Sequence, residues 1–186
     1  MKTTFKPLSK NNWEDFVELF GSNGACGGCW CMWWRLNHAE YKKNQGSGNK
    51  KKMHKLVLGN IPTGIIAYKN KIPIGWCSIS PRENLVRLQT SRVLKSIDEK
   101  KVWSINCFFI KKEFRKLGMS EKIIKEAVKF AKKLGAKIIE AYPIDTPKNN
   151  YPSVFAFTGF VNTFLKNGFK EVTRHSKTRP IVRKLI

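Results

Sequence analysis

Apolar positions change period several times along this chain, and each change marks an element. Thr3 to Leu8 reads as a short strand. Trp13, Phe16, Val17 and Phe20 then recur at helical spacing, with Ser9 or Asn11 as a candidate cap and Gly21 as a stop. Met53, Leu56 and Val57 mark the inward face of a second helix over about 49–58. Two strands, Thr63 to Lys69 and Ile72 to Ser80, flank Asn70 and Lys71, a pair suited to a hairpin turn, and Pro81 closes the second strand. From there to Lys101 no period is clear, although Leu85, Leu88 and Val93 predict partial burial. Val102 to Ile110 is a nearly continuous apolar run, the pattern of a central strand covered on both faces.

The following unit is the most sharply patterned. A short basic loop leads from that strand into a helix over Ser120 to Leu134, with Ile123, Ile124, Ala127, Val128, Ala131 and Leu134 facing inward. Gly135 ends the helix, and Ala136 to Tyr142 forms a further strand, which completes a strand, crossover helix and strand. Pro143 to Pro152 is a loop rich in Pro, Asn and Asp. A short helix over Asn162 to Lys166 ends at Gly168, and strands follow at Phe169 to Arg174 and Pro180 to Leu185. Antiparallel hairpins on either side of one crossover unit predict an α+β fold. The 186 residues fit one domain over 1–186, with no internal repeat and no clear linker. Two segments stand out within it, a Cys- and Trp-rich stretch at 21–47 and an insert at 143–158.

Composition narrows the class. No stretch reaches the roughly 18 apolar residues of a membrane helix, and the opening Met1 to Phe5 has no apolar signal region. A cytoplasmic location is expected. The five Cys are odd in number, so a disulfide framework is not. Cys77 and Cys107 lie in apolar runs as small core residues, whereas Cys26, Cys29 and Cys31 sit together. With His38 those three could hold a soft metal, but a structural zinc site uses two separated ligand pairs and only one cluster is present, so no metal is assigned. The formal charge is +23, carried by 28 Lys against 8 Arg. Phosphate readers favour the planar fork of Arg, and a Lys-, Asn- and Ile-rich composition follows from an AT-rich genome. Nucleic acid is therefore disfavoured as a partner, and a small anionic cofactor is favoured.

The candidate chemistry lies in the loop Arg115-Lys116-Leu117-Gly118-Met119-Ser120, between the buried strand and the helix start. Helix N-termini expose unpaired N–H groups and the positive end of the macrodipole. Gly118 lets backbone approach a ligand closely, and Arg115 and Lys116 add charge. Together they make a pyrophosphate cradle. The segment resembles the cofactor motif of the GNAT superfamily of N-acetyltransferases, Arg/Gln-x-x-Gly-x-Gly/Ala, with Arg115 and Gly118 matching and Ser120 in place of the last small residue. Phe108-Phe109-Ile110 resembles the strand end whose backbone pairs with the pantetheine arm in that superfamily, and Phe164 to Phe169 resembles its late helix ending in Gly-Phe. The element order agrees from about 3 to 185. The resemblance implies a mixed, mostly antiparallel central sheet flanked by helices. It also implies acetyl-CoA as co-substrate, direct acetyl transfer to an amine acceptor, and residues 108–110 and 115–120 as the cofactor site.

Other roles are less well marked. Many members of the superfamily carry a Tyr four residues before that Gly as the acid for the leaving thiolate, and this chain has Phe164. Tyr142 and Tyr151 are substitutes for the acid, and Glu140 and Asp145 are candidate bases; Glu140 and Tyr142 are taken as the catalytic pair. Trp30, Trp33 and Trp34 could line an acceptor pocket or pack over the sheet, and Arg35 could hold an acceptor carboxylate. The acceptor is expected to be a small amine, and not a polycation, which a chain of this charge would repel. A homodimer is left open. Two alternatives stand beside the enzyme: a non-catalytic acyl-CoA-binding regulator of the same fold, and a zinc-containing nucleic-acid binder.

Overall fold

A computed structural model describes residues 3–146, 151–152 and 155–186. Met1 and Lys2, and residues 147–150, 153 and 154 of the expected insert, lie outside the described residues. The described chain forms one seven-stranded sheet. Its strands are β1 (Thr3–Pro7), β2 (Gly64–Lys69), β3 (Ile72–Pro81), β4 (Trp103–Ile110), β5 (Ile138–Ala141), β6 (Lys170–Arg174) and β7 (Pro180–Leu185). They lie in the order β1-β2-β3-β4-β5-β7-β6. Every neighbouring pair is antiparallel except β4 and β5. A parallel pair needs a crossover, and helix α5 (Met119–Lys133) supplies it.

The β2–β3 hairpin turns at Asn70 and Lys71, with φ of 50° and 68°. Two left-handed residues are what a type I′ turn demands, and that turn matches the twist of the strands it joins. One face of the sheet packs on α5 and on α6 (Val161–Lys166). Ile123, Ile124, Ala127 and Ala131 meet Ile65, Ile74, Cys77, Ile105 and Ile139 there. The spacing of those α5 residues is the helical stripe read from the sequence.

The opposite face is covered by α1 (Trp13–Phe20), by residues 30–36 and by α3 (Ser47–Leu58), around Phe16, Phe20, Met53 and Trp76. Two coverings carry no apolar period and are absent from the pattern. Helix α2 (His38–Lys43) buries none of its residues; its start is fixed by Asn37, whose side chain accepts the Glu40 N–H at 2.9 Å. Residues 82–97, including the short α4 (Val86–Gln89), pack Leu85, Leu88 and Leu94 on Tyr142 and Ile181 as a separate small core. No helix among the described residues is long and apolar enough to cross a membrane.

Candidate functional site

The parallel pair at the sheet's centre is short. β4 and β5 register only from Trp103–Ile139 to Ile105–Ala141. β5 then ends at Tyr142 and Pro143, a residue with no N–H to continue the ladder, while β4 runs on to Ile110. Backbone groups alternate in direction along a strand, so the N–H groups of Phe108 and Ile110 point into the gap that β5 leaves. At Phe108 that N–H donates to the carbonyl of Phe157 at 2.6 Å. The returning chain is held by a parallel bridge between Ile144 and Phe160. There the Ile144 N–H donates to Gly159 (2.8 Å) and the Val161 N–H to Ile144 (3.0 Å). Gly159, at φ 79°, allows this close seat: a Cβ there would lie 3.0 Å from the Phe164 ring and 3.1 Å from the Phe108 ring.

Beyond β4 the loop tightens. Arg115 turns back and donates from Nε to the Ile110 carbonyl at 2.8 Å. Lys116 and Gly118 both take left-handed backbone, with φ of 60° and 70°, and α5 begins at Met119 with no side chain capping it. The Lys122 N–H reaches back to the Gly118 carbonyl, so by helix geometry the N–H groups of Met119, Ser120 and Glu121 have no intrahelical acceptor. Met119 is buried and anchors the turn, whereas Leu117 is exposed. A Cβ on Gly118 would meet nothing within 4 Å. The loop is therefore open toward solvent, positively charged, and lined by N–H groups at the positive end of a four-turn helix, which fits a phosphate-bearing group. Residues 115–120 are thus tied to the β4 end at Ile110 through Arg115.

Glu140 and Tyr142 lie elsewhere, inside a buried ionic network on the other side of the parting. Glu140 is 1% exposed. One of its oxygens faces Arg82 at 3.1 Å and accepts from the Tyr142 hydroxyl at 2.5 Å; the other accepts from Arg183 Nε at 2.7 Å. Arg183 continues to Asp98 at 2.7 Å, and Arg82 also donates to the carbonyls of Leu88 and Leu94. The Tyr142 hydroxyl shares a further hydrogen bond with Ser104 at 2.9 Å. Burial, and next the charge of Glu140, push the Tyr142 phenol above its ordinary range. Phe164 is fully buried, edge-on to Phe108 and Phe169. Asp145 pairs with Arg174 at 2.7 Å, and Tyr151 meets the Phe160 ring edge-on.

The Trp residues divide. Trp30 is core, stacked on Phe20 and roofed by Lys50. Trp33 carries the Arg87 guanidinium at 3.7 Å and is otherwise near the surface. Trp34 approaches Phe157, and its buried Nε1 has no partner among the described residues. Arg35 is 6% exposed. Its Nη2 donates to the Thr63 carbonyl (3.3 Å) and to Ser80 Oγ (3.2 Å), and its Nε has no partner.

The Cys residues are dispersed in depth. Cys26 is exposed, Cys29 half-buried and Cys31 buried, and among the described residues no three His, Cys, Asp or Glu are grouped to hold a metal ion. Cys31 Sγ accepts from Trp76 Nε1 at 3.2 Å. Hydrogen bonds from Cys107 and then Trp76, with the charge of Arg35, hold its thiol down at about 7 against the opposing effect of burial. Asn106, at the point where β5 leaves β4, is buried with its Oδ1 unpartnered. In the sequence Asn106 is a polar residue inside the apolar run from Val102 to Ile110; its burial beside the parting is a tertiary fact.

Comparison with known proteins agrees with this fold. The sequence profile described as "Acetyltransferase (GNAT) family" matches residues 30–160, more than half of the chain. No curated protein sequence matches significantly. Among solved structures, the chain is similar to the PaiA N-acetyltransferase of Thermoplasma acidophilum, determined in complex with coenzyme A, at 16% identity and a TM-score of 0.56 with all of both chains covered. A mosquito arylalkylamine N-acetyltransferase, like 5b, is similar at 12% identity and 0.59, again over all of both chains. A GNAT-family acetyltransferase of Listeria monocytogenes is similar at 8% and 0.59, covering 99% of this chain and 95% of the other. At these identities the structures speak to the fold, and the profile match speaks to descent: the chain belongs to the acetyltransferase (GNAT) family.

Proposed function

We propose that the protein is an N-acetyltransferase that takes its acetyl group from acetyl-CoA and delivers it to the amine of a small acceptor. One observation carries the proposal: an open N–H-lined loop at 115–120 follows directly on the edge of β4 that β5 leaves uncovered. The pyrophosphate would lie on the N–H groups of residues 118–120 and beside Arg115 and Lys116, and the pantetheine along Phe108 to Ile110. Acetyl-CoA supplies a reactive thioester, so the chain's own contribution is positioning and stabilisation of charge on the carbonyl oxygen. N–H groups at the β4 edge are donors for that charge. For the pantetheine to pair at Phe108, Phe157 must release its bond.

The unpartnered Oδ1 of Asn106 is an acceptor for an N–H of the incoming amine. Glu140 is not assigned as base, because both of its oxygens are engaged by guanidinium groups and a phenol. Tyr142 is not assigned as acid, because its proton is held by Glu140 and by burial. The amine is then delivered unprotonated from solvent, and its lost proton returns there.

A second role, binding of acyl-CoA without turnover, is favoured by the engagement of Glu140 and Tyr142 and by Phe164 in the usual Tyr position. Two measurements separate the possibilities. Acetyl-CoA should raise the melting temperature of the wild type, and Gly118→Glu, which puts an acid into the cradle, should abolish the rise. Absence of any shift with the wild type refutes cofactor binding. Release of free thiol over a panel of small amines supports transfer, whereas a shift without release supports the binding role.

A further inference from the structure

The gap that β5 leaves beside β4 is filled by the chain itself. Ala156 to Gly159 make a tight turn, closed by the Gly159 N–H on the Ala156 carbonyl at 2.9 Å. On one side the Phe157 carbonyl accepts from the Phe108 N–H of β4 at 2.6 Å. On the other, Gly159 and Val161 bond to Ile144, which prolongs the line of β5. Hydrogen-bonded backbones lie about 4.8 Å apart. A gap bridged on both sides in this way holds one backbone and has no room for a second beside it. Yet the β4 edge from Phe108 to Ile110 is the lane that the proposed function gives to the pantetheine arm. At Phe108 the turn and the arm exclude each other.

The turn is lightly held. Thr158, fully buried, accepts from Arg179 Nη1 of the β6–β7 loop at 2.9 Å. The Phe157 ring meets Trp34 with centroids 6.5 Å apart, and Ala156 and Phe157 stay half-buried. Gly159, at φ 79°, stands at the base of the turn, and a glycine there accepts a change of backbone angles without steric cost. A segment anchored through so few buried groups opens locally at low cost. The loop at 115–120 lies past Ile110, beyond the turn, so the turn obstructs the arm and not the phosphates.

We propose that the turn at 156–159 is an autoinhibitory plug: it occupies the pantetheine lane in the free protein, and the arm of the incoming cofactor displaces it by taking over the Phe108 N–H. The plug rests on the acetyltransferase reading, which supplies the lane. A ligand that binds only the open form has its affinity reduced by the fraction that is open. Loosening the plug therefore tightens the whole cofactor and leaves its phosphate end unaffected.

The test measures, by calorimetry on the intact chain, the dissociation constants of coenzyme A and of 3′-phospho-ADP, which is coenzyme A without its pantetheine arm. Thr158→Val keeps the shape of the side chain and deletes the bond from Arg179. It should tighten coenzyme A about fivefold and leave 3′-phospho-ADP unchanged. Arg179→Gln cuts the same bond from the other side and should shift the ratio of the two constants alike, which keeps the test alive if the Thr158 variant does not fold. Hydrogen exchange of the wild type needs no substitution: amides at 156–159 should exchange faster with coenzyme A than with 3′-phospho-ADP or with neither. An unchanged ratio in both variants, a weaker coenzyme A in either, or exchange at 156–159 that coenzyme A leaves unaltered overturns the plug, and wild-type binding of both ligands then keeps the cofactor site. A wild type that binds neither ligand overturns the cofactor site, and the plug with it.

Discussion

Glu140 offers the sharpest separation between a chemical and an architectural role, through the substitution Glu140→Gln. The side chain is 1% exposed and joins Arg82, Tyr142 and Arg183. Gln preserves the shape but removes the charge, and turns one of its ends from an acceptor into a donor facing a guanidinium. Arg82 and Arg183 are then left largely desolvated, with side chains 10% and 9% exposed. Breaking a buried ion pair in this way costs about 3–5 kcal/mol. For a domain of this size that is a fall of roughly 6–20 °C in melting temperature.

Urea and thermal unfolding would give the stability change, and kcat on the folded fraction would give the chemical one. The expected outcome is a large loss of stability with kcat nearly unchanged. A triple replacement, Arg82→Met with Glu140→Leu and Arg183→Met, should recover much of the loss, because buried ionic clusters exchange for apolar groups at little net cost. A Glu140→Gln protein that melts within about 1 kcal/mol of wild type while kcat collapses would refute the architectural assignment and return Glu140 to the role of base.

Two further outcomes follow from other parts of the structure. Phe164→Tyr, which restores the hydroxyl common in the family, should cost about 1–3 kcal/mol in chemical denaturation and leave kcat unraised, since position 164 is fully buried between Phe108 and Phe169; a rise in kcat would show that the ring's edge reaches the reaction. The Cys31 thiol, depressed from 9.0 to about 7, is ionised in the folded chain at pH values where it is still protonated in the unfolded one. Its contribution to stability is therefore lost as pH falls through about 7 and complete above about 9. Cys29, Cys77 and Cys107, all raised, reverse the trend above about 9, where they ionise only in the unfolded chain. Unfolding free energy measured across pH 6 to 9 should rise with pH in the wild type and lose that slope in Cys31→Ser; an unchanged slope would show that Cys31 stays protonated.

The elements with a strong period were legible in the sequence. The stripe of Ile123, Ile124, Ala127 and Ala131 located α5 and its inward face, and Asn70-Lys71 located a hairpin whose turn has both residues left-handed. Gly118, between a buried strand and a helix start, sufficed to mark the open turn that begins α5, because a φ of 70° is a local property. Helix α2 was hidden because HAEYKK carries no apolar stripe, and its cap at Asn37 is a side-chain bond that no period records. The roles of Glu140 and Tyr142 were hidden for a different reason. A carboxylate on a central strand reads alike whether its partner is a substrate or an arginine, and the partners here come from 58 and 43 residues away. Trp30, Trp33 and Trp34 are adjacent in sequence but have three different surroundings, since Trp30 takes left-handed backbone, at φ 46°, and turns into the core.

The sheet order has a consequence for how this chain emerges from the ribosome. β7 follows β6 in sequence but stands between β5 and β6. During vectorial synthesis β6 is made with no strand to join, and the outer edge of β5 stays uncovered until Pro180 to Leu185 leaves the exit tunnel. Glu140 shares that wait, because Arg183 arrives on the same strand. Nascent chains stalled before residue 180 should therefore hold α1 to β5 without the β5–β7 pair and recruit chaperones at the β5 edge, and release of β7 should clear them in a single step.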